Sequence, residues 1–172
     1  DTSAEALAKL RPLVEGGVVT AGNASGVNDG AAALWVGSRA AGERGGKAPR
    51  ARIVASAVAG VEPRRMGLGP VPASRKALAR AGLALRDMDV IEINEAFAVQ
   101  VLGCLKLLEV AADDSRLNGN GGAIALGHPL GASGARLTLT AMRRLEQCGG
   151  RYALATLCIG VGQGLAVVLE RE

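Results

Sequence analysis

The chain has 172 residues, 49% of them apolar, with a formal net charge of +4 and 25 glycines that follow no collagen period. This fits one α/β domain with an appended piece of another and leaves room for a sizeable core. Trp35, Phe97 and Tyr152 are the only aromatic residues, so pairs such as Arg64-Arg65 and Arg143-Arg144 have no stacking platforms between them, and nucleic-acid binding is not supported.

Three cysteines without C-x-x-C spacing (Cys104, Cys148 and Cys158) argue against a disulfide framework and a zinc site and fit a reducing, cytoplasmic setting. The longest uncharged run, 152–169, is interrupted by Gly160, Gly162 and Gly164. It reads as two strands about a turn, not as a membrane span. No signal peptide is expected from the opening residues.

Thr2 and Glu5 have capping-box spacing, with Ala6, Leu7 and Leu10 following at helical intervals until Pro12. Such an isolated short helix implies a chain that starts inside a larger structure. Residues 18–30 have loop composition. Ser38 is placed to cap a short helix through Glu43, and a domain boundary is expected near Pro49. From there 53–61 is a continuous small-apolar run, expected as a strand buried on both faces. Loop follows over 63–71, then a helix over 72–82. A second strand at 89–93 runs to Asn94-Glu95, where a long helix is expected, its apolar face marked by Ala98, Val101, Leu102, Leu105 and Leu108. A brief third strand is expected at 115–118.

The stretch 118–134, NGNGGAIALGHPLGASG, contains six glycines and the only histidine, His128. A glycine-rich bend feeding a helix presents backbone N–H groups to an anion or an oxyanion, and a histidine there is a candidate base. The plain alternative is a tight loop with an incidental histidine. A helix from about 132 to 147 comes next, then strands at 151–158 and 165–170. The order β-α-β-α-β-α-β-β predicts an α/β fold: a mixed, mostly parallel sheet of about five strands with helices on both faces and an antiparallel last pair.

Asn94 and Cys158 end strands, and the carboxyl ends of parallel strands gather ligands. Gly160 and Gly162 leave the backbone beside Cys158 bare, so a carbonyl can approach an N–H there. Each has a duller explanation: Asn94 as a helix cap, Cys158 as a small buried residue, the glycines as turn formers. Cys104 and Cys148 read as structural.

Three motifs, NEAFA at 94–98, GGAIALGHPLGASG at 121–134 and CIGVGQG at 158–164, resemble the C-terminal signatures of the thiolase family, and TAGNASGVNDGAAA at 20–33 resembles a fourth. They run in order along essentially the whole chain. The resemblance implies acyl transfer between 3-ketoacyl-CoA and coenzyme A, with coenzyme A a substrate and no metal or other cofactor. It implies that His128 activates a nucleophilic thiol and then donates into an oxyanion hole, and that Asn94 holds a water sharing that hole. Cys158 would exchange the α-proton, the Gly160 N–H would stabilise the thioester oxyanion, and Ser25 would touch the pantetheine arm. Weakly acidic thioester α-protons require a thiolate base and oriented donors acting together.

The chain departs from the family by lacking the nucleophilic cysteine motif. Residues 1–49 resemble the tail of a missing first half and 50–172 the whole second half. The chain alone is therefore expected not to turn over, and homo-oligomerisation or association with the missing half is expected. The motif variants lean towards 3-oxoadipyl-CoA thiolases. Two other readings stand beside this one: a non-catalytic module that binds CoA thioesters or pairs with a partner, and a cysteine hydrolase using Cys158, His128 and Asn94.

Overall fold

In the computed structural model, which describes residues 2–172, the core forms around a four-stranded sheet. Its strands are β1 (Ala51–Gly60), β2 (Val90–Ile93), β3 (Tyr152–Ile159) and β4 (Gln163–Arg171), in the spatial order β1-β4-β3-β2. The α/β class and the mixed sheet are as expected. The strand count is four, because the expected third strand at 115–118 is reduced to a single parallel bridge between Leu117 and Ile91. The balance of pairing also differs. β1, β2 and β3 run the same way, but β4 lies between β1 and β3, so that two of the three pairings are antiparallel and only β2–β3 is parallel. A short hairpin returns β4 into the middle of the sheet, which a strand-by-strand reading cannot foresee.

Helices cover both faces. On one, α3 (Pro70–Ala81) and α4 (Ala98–Leu108) bury Ala77, Leu78, Val101 and Leu105 against Ile91, Ile93, Leu154 and Val168. On the other, α6 (Ser133–Cys148) sets Leu137, Ala141 and Leu145 against Val90, Ala153 and Ala155. Alternate strand residues therefore serve different layers, as the two-residue pleat requires. α6 reaches only part of its face. Ile53 and Val58 of β1 are about half exposed there, and a cavity of about 310 Å³ opens among Leu34, Leu137, Leu157, Leu165 and Val167.

β1 corrects the expectation of a strand buried on both faces, since it is an edge strand and only Ala57 is fully buried. Its unpaired carbonyls are not left bare: Arg80 Nη1 donates to Ser56 O (2.6 Å) and Lys76 Nζ to Val58 O (3.3 Å), both from α3. Basic side chains on an open edge discourage further strand pairing. α3 starts at Pro70, inside the expected loop, whose first part forms a 3₁₀ helix at Pro63–Leu68. A three-residue 3₁₀ helix, Leu85–Asp87, precedes β2. The first helix, α1 (Ala4–Ala8), is capped by Ser3, whose Oγ accepts from Ala6 N–H, and not through Thr2. α2 (Arg39–Arg44) is capped by Ser38 as expected. No described residue before Ala57 is buried.

Candidate active site

The carboxyl end of β2 is where the distant motifs meet. β2 has no further strand beside Ile93, and the side chain of Asn118 takes that place. Asn118 Oδ1 accepts from Ile93 N–H (2.9 Å), and its Nδ2 donates to Ile93 O (3.0 Å) and to Glu95 Oε1 (2.8 Å). The other oxygen of Glu95 accepts from Ile124 N–H (3.1 Å) at the start of the one-turn helix α5 (Ala123–Leu126). Glu95 thus ties the strand end to the glycine-rich bend. A Cβ on Gly122 would overlap its carboxyl group, which explains why that position is glycine.

The loop carrying Ser25 is laced into the same place. Ser25 N–H and Oγ both donate to Ala96 O (3.0 and 3.2 Å), and Ala98 N–H donates to Asn23 O (2.8 Å). His128 N–H is shared between Gly26 O (3.1 Å) and Asn28 Oδ1 (3.2 Å).

His128 and Asn94 are brought into contact, with Asn94 Nδ2 3.3 Å from His128 Nε2. On the opposite side of the ring His128 Nδ1 lies 2.6 Å from Ser133 Oγ, which in turn donates to Pro129 O at 3.0 Å. With the serine proton committed to a carbonyl, Ser133 Oγ accepts from Nδ1–H and leaves the Nε2 lone pair as the ring's base. Burial, and secondarily the Arg136 cation, lower the pKa of His128 below its ordinary value, so the neutral form is favoured near pH 7. Asn94 itself is buried and is not a helix cap: α4 begins at Ala98, after an N-cap residue, Phe97, that makes no side-chain capping bond.

Cys158 and Gly160 stand on the same rim, joined to the pair through the backbone bond from Asn94 N–H to Thr156 O (3.0 Å). Cys158 is partly buried, and that burial pushes its thiol pKa up. Nothing crowds the α-carbon of Gly160, so its backbone is open to a ligand. Its neighbours are under tighter control. Gly162 has φ +91°, and Gly164 meets Gly69 backbone to backbone, so that a Cβ on Gly164 would strike the Gly69 carbonyl. The remaining cysteines differ from each other. Cys104 is fully buried, with its thiol pushed up to about 11, whereas Cys148 is exposed at the end of α6.

Four residues of this site have no counterpart in the reading of the sequence: Glu95, Asn118, Ser133 and Arg136. Ser133 and Arg136 occupy the first turn of α6, and Arg136 Nη2 donates to Asn94 Oδ1 at 3.4 Å. Ser133 lies inside the 121–134 motif, and Arg136 follows two residues beyond its end, but neither has a role there that residue type alone would give. His128 makes no hydrogen bond to Cys158; its ring nitrogens are paired with Asn94 and Ser133.

Comparison with known proteins gives the family. A model described as "Thiolase, C-terminal domain" matches residues 47–171, and one described as "Thiolase, N-terminal domain" matches residues 1–40. The chain belongs to the thiolase family. Over 172 residues it is 62% identical to the 3-oxoadipyl-CoA/3-oxo-5,6-dehydrosuberyl-CoA thiolase of Escherichia coli K12, covering 99% of this chain and 43% of that protein. Over 173 residues it is 63% identical to the beta-ketoadipyl-CoA thiolase of Pseudomonas aeruginosa, with the same coverage. Among solved structures, the Bacillus anthracis acetyl-CoA acetyltransferase superposes with a TM-score of 0.95 at 46% identity, over 100% of this chain and 43% of its own. Human mitochondrial 3-ketoacyl-CoA thiolase in complex with CoA gives 0.90 at 46% identity, over 99% and 43%. The chain thus spans less than half the length of the relatives it matches.

Proposed function

We propose that this chain supplies the second half of a thiolase active site, acting in acyl transfer between a 3-ketoacyl-CoA and coenzyme A. The observation that carries the reading is His128, its Nδ1 held by Ser133 and its Nε2 set beside the Asn94 amide. In this reading Nε2 takes the proton of a nucleophilic thiol brought by the missing half, and the imidazolium then shares an oxyanion hole with a water on Asn94. Cys158 moves the substrate α-proton. The open Gly160 N–H faces the thioester oxygen, and Ser25, fixed beside Ala96, lines the approach of the pantetheine arm. The names of the two bacterial relatives at 62% and 63% identity support 3-oxoadipyl-CoA as the substrate.

Residues 1–49 belong, in this reading, to the tail of the first half and 50–172 to the second. The matches of separate domain models to 1–40 and 47–171 support that division. The partly uncovered sheet face around Leu157, Leu165 and Val167, together with the exposed Trp35, supports association with the missing half. The test is a thiolysis assay with coenzyme A and 3-oxoadipyl-CoA. The chain alone is expected to show no turnover, and addition of a first-half polypeptide with its nucleophilic cysteine is expected to restore it. Robust turnover by the chain alone would refute the division of the site. Failure of the complemented pair to cleave any 3-ketoacyl-CoA, although it binds the thioester, would favour a binding module.

A further inference from the structure

The hydrogen-bond chain through His128 has a direction that its three central members do not fix. An amide, an imidazole and a hydroxyl can each reverse. If the Asn94 amide turned over, its oxygen would face Nε2, the ring would carry its proton there, and Ser133 would donate to Nδ1. That reversed chain is equally well satisfied locally, but its Nε2 is no longer a base.

The ends of the chain break this symmetry. Pro129 O only accepts, and it takes the Ser133 proton at 3.0 Å. At the other end Arg136 only donates, and its Nη2 points at Asn94 Oδ1 at 3.4 Å. Arg136 is held in a layer that offers it little else, since its Nε is buried without a partner. Glu92, two residues before Asn94 on the same face of β2, is 1% exposed, and its Oε1 is likewise unpartnered. Glu95 and Arg144 are the other charged groups whose fields reach Glu92.

We propose that Arg136 is a positioning residue that sets the polarity of the chain Arg136–Asn94–His128–Ser133–Pro129 and so holds His128 in its Nδ1–H tautomer. The inference rests on the reading of His128 as a base, but it is tested on the imidazole itself and not on turnover, so the two can fail separately. His128 is the only histidine of the chain, so imaging its two ring nitrogens by NMR at a pH where the ring is neutral gives the tautomer without ambiguity. In the unsubstituted 172-residue chain the Nδ1–H form is expected to dominate by about tenfold or more, the factor that one charge-assisted hydrogen bond can supply.

Arg136→Met is expected to bring the two tautomers within about threefold of each other, and Arg136→Lys, which keeps a donor-only cation, to restore most of the preference. Asn94→Asp presents only acceptors and is expected to invert the ratio, which keeps the test open should the methionine variant not fold. A dominant Nε2–H form in the unsubstituted chain, or an unchanged ratio in folded Arg136→Met, would overturn the proposal.

Discussion

Glu92 offers the sharpest quantitative test of the buried layer between α6 and the sheet. Burial, partly countered by Arg136, raises its pKa from the ordinary 4.5 to about 7. An acid whose folded pKa is raised holds its proton more tightly in the folded chain. Its contribution to stability is therefore full at low pH and is lost as pH climbs from the unfolded value through about 7. At about 1.4 kcal/mol per unit, the gap amounts to about 3 kcal/mol in the fully ionised limit. With the side chain 1% exposed, solvent screening removes little of this. Glu92→Gln keeps the shape and cannot ionise. Urea denaturation across about pH 5 to 8.5 is expected to show the two proteins nearly equal at the acid end and the variant more stable by about 3 kcal/mol at the alkaline end. His128, whose pKa is lowered, works in the opposite sense: its contribution is present above about 6.5 and is lost as pH falls through its depressed value. The His128 term is common to both proteins and cancels in the difference. A difference between variant and parent that does not change with pH would refute the assignment of a proton to Glu92.

Other consequences can be checked independently. Gly164→Ala is expected to cost about 2–4 kcal/mol in thermal or urea unfolding, because the new methyl group meets the Gly69 backbone, which cannot move aside as a side chain would. Glu95→Ala removes the acceptor of both Asn118 Nδ2 and Ile124 N–H, and a loss of about 2–4 kcal/mol is expected. Faster amide exchange confined to 120–128 would show that the bend, and not the sheet, is released. Alkylation at neutral pH, followed by peptide mapping, should modify exposed Cys148 first, Cys158 more slowly and Cys104 last, in keeping with the burial that raises both inner thiols.

The pattern of success and failure in reading the chain has a physical cause. β2, β3 and β4 were legible because Val, Ile and Leu recur where the strands are buried. β1 was misjudged because Ala, Ser and Gly pack acceptably on either a covered or an open face, and only Ala57 is enclosed. The start of α4 was misplaced for a more informative reason. Asn94 and Glu95 are residue types that cap helices, but here their side chains are spent on tertiary partners, His128 and the Asn118–Ile124 bend, three or four residues before the helix begins. Local propensity lost to a long-range site. His128 and Asn94 entered the site through motif resemblance, and their spacing alone allowed a loop and a cap. Ser133 and Arg136 were invisible because their meaning lies in direction: a serine proton committed to Pro129 and a guanidinium aimed at Asn94. Residue identity tells what can donate and accept. Only the folded arrangement, with one end of the chain closed by a pure acceptor and the other by a pure donor, decides which nitrogen of His128 carries the proton.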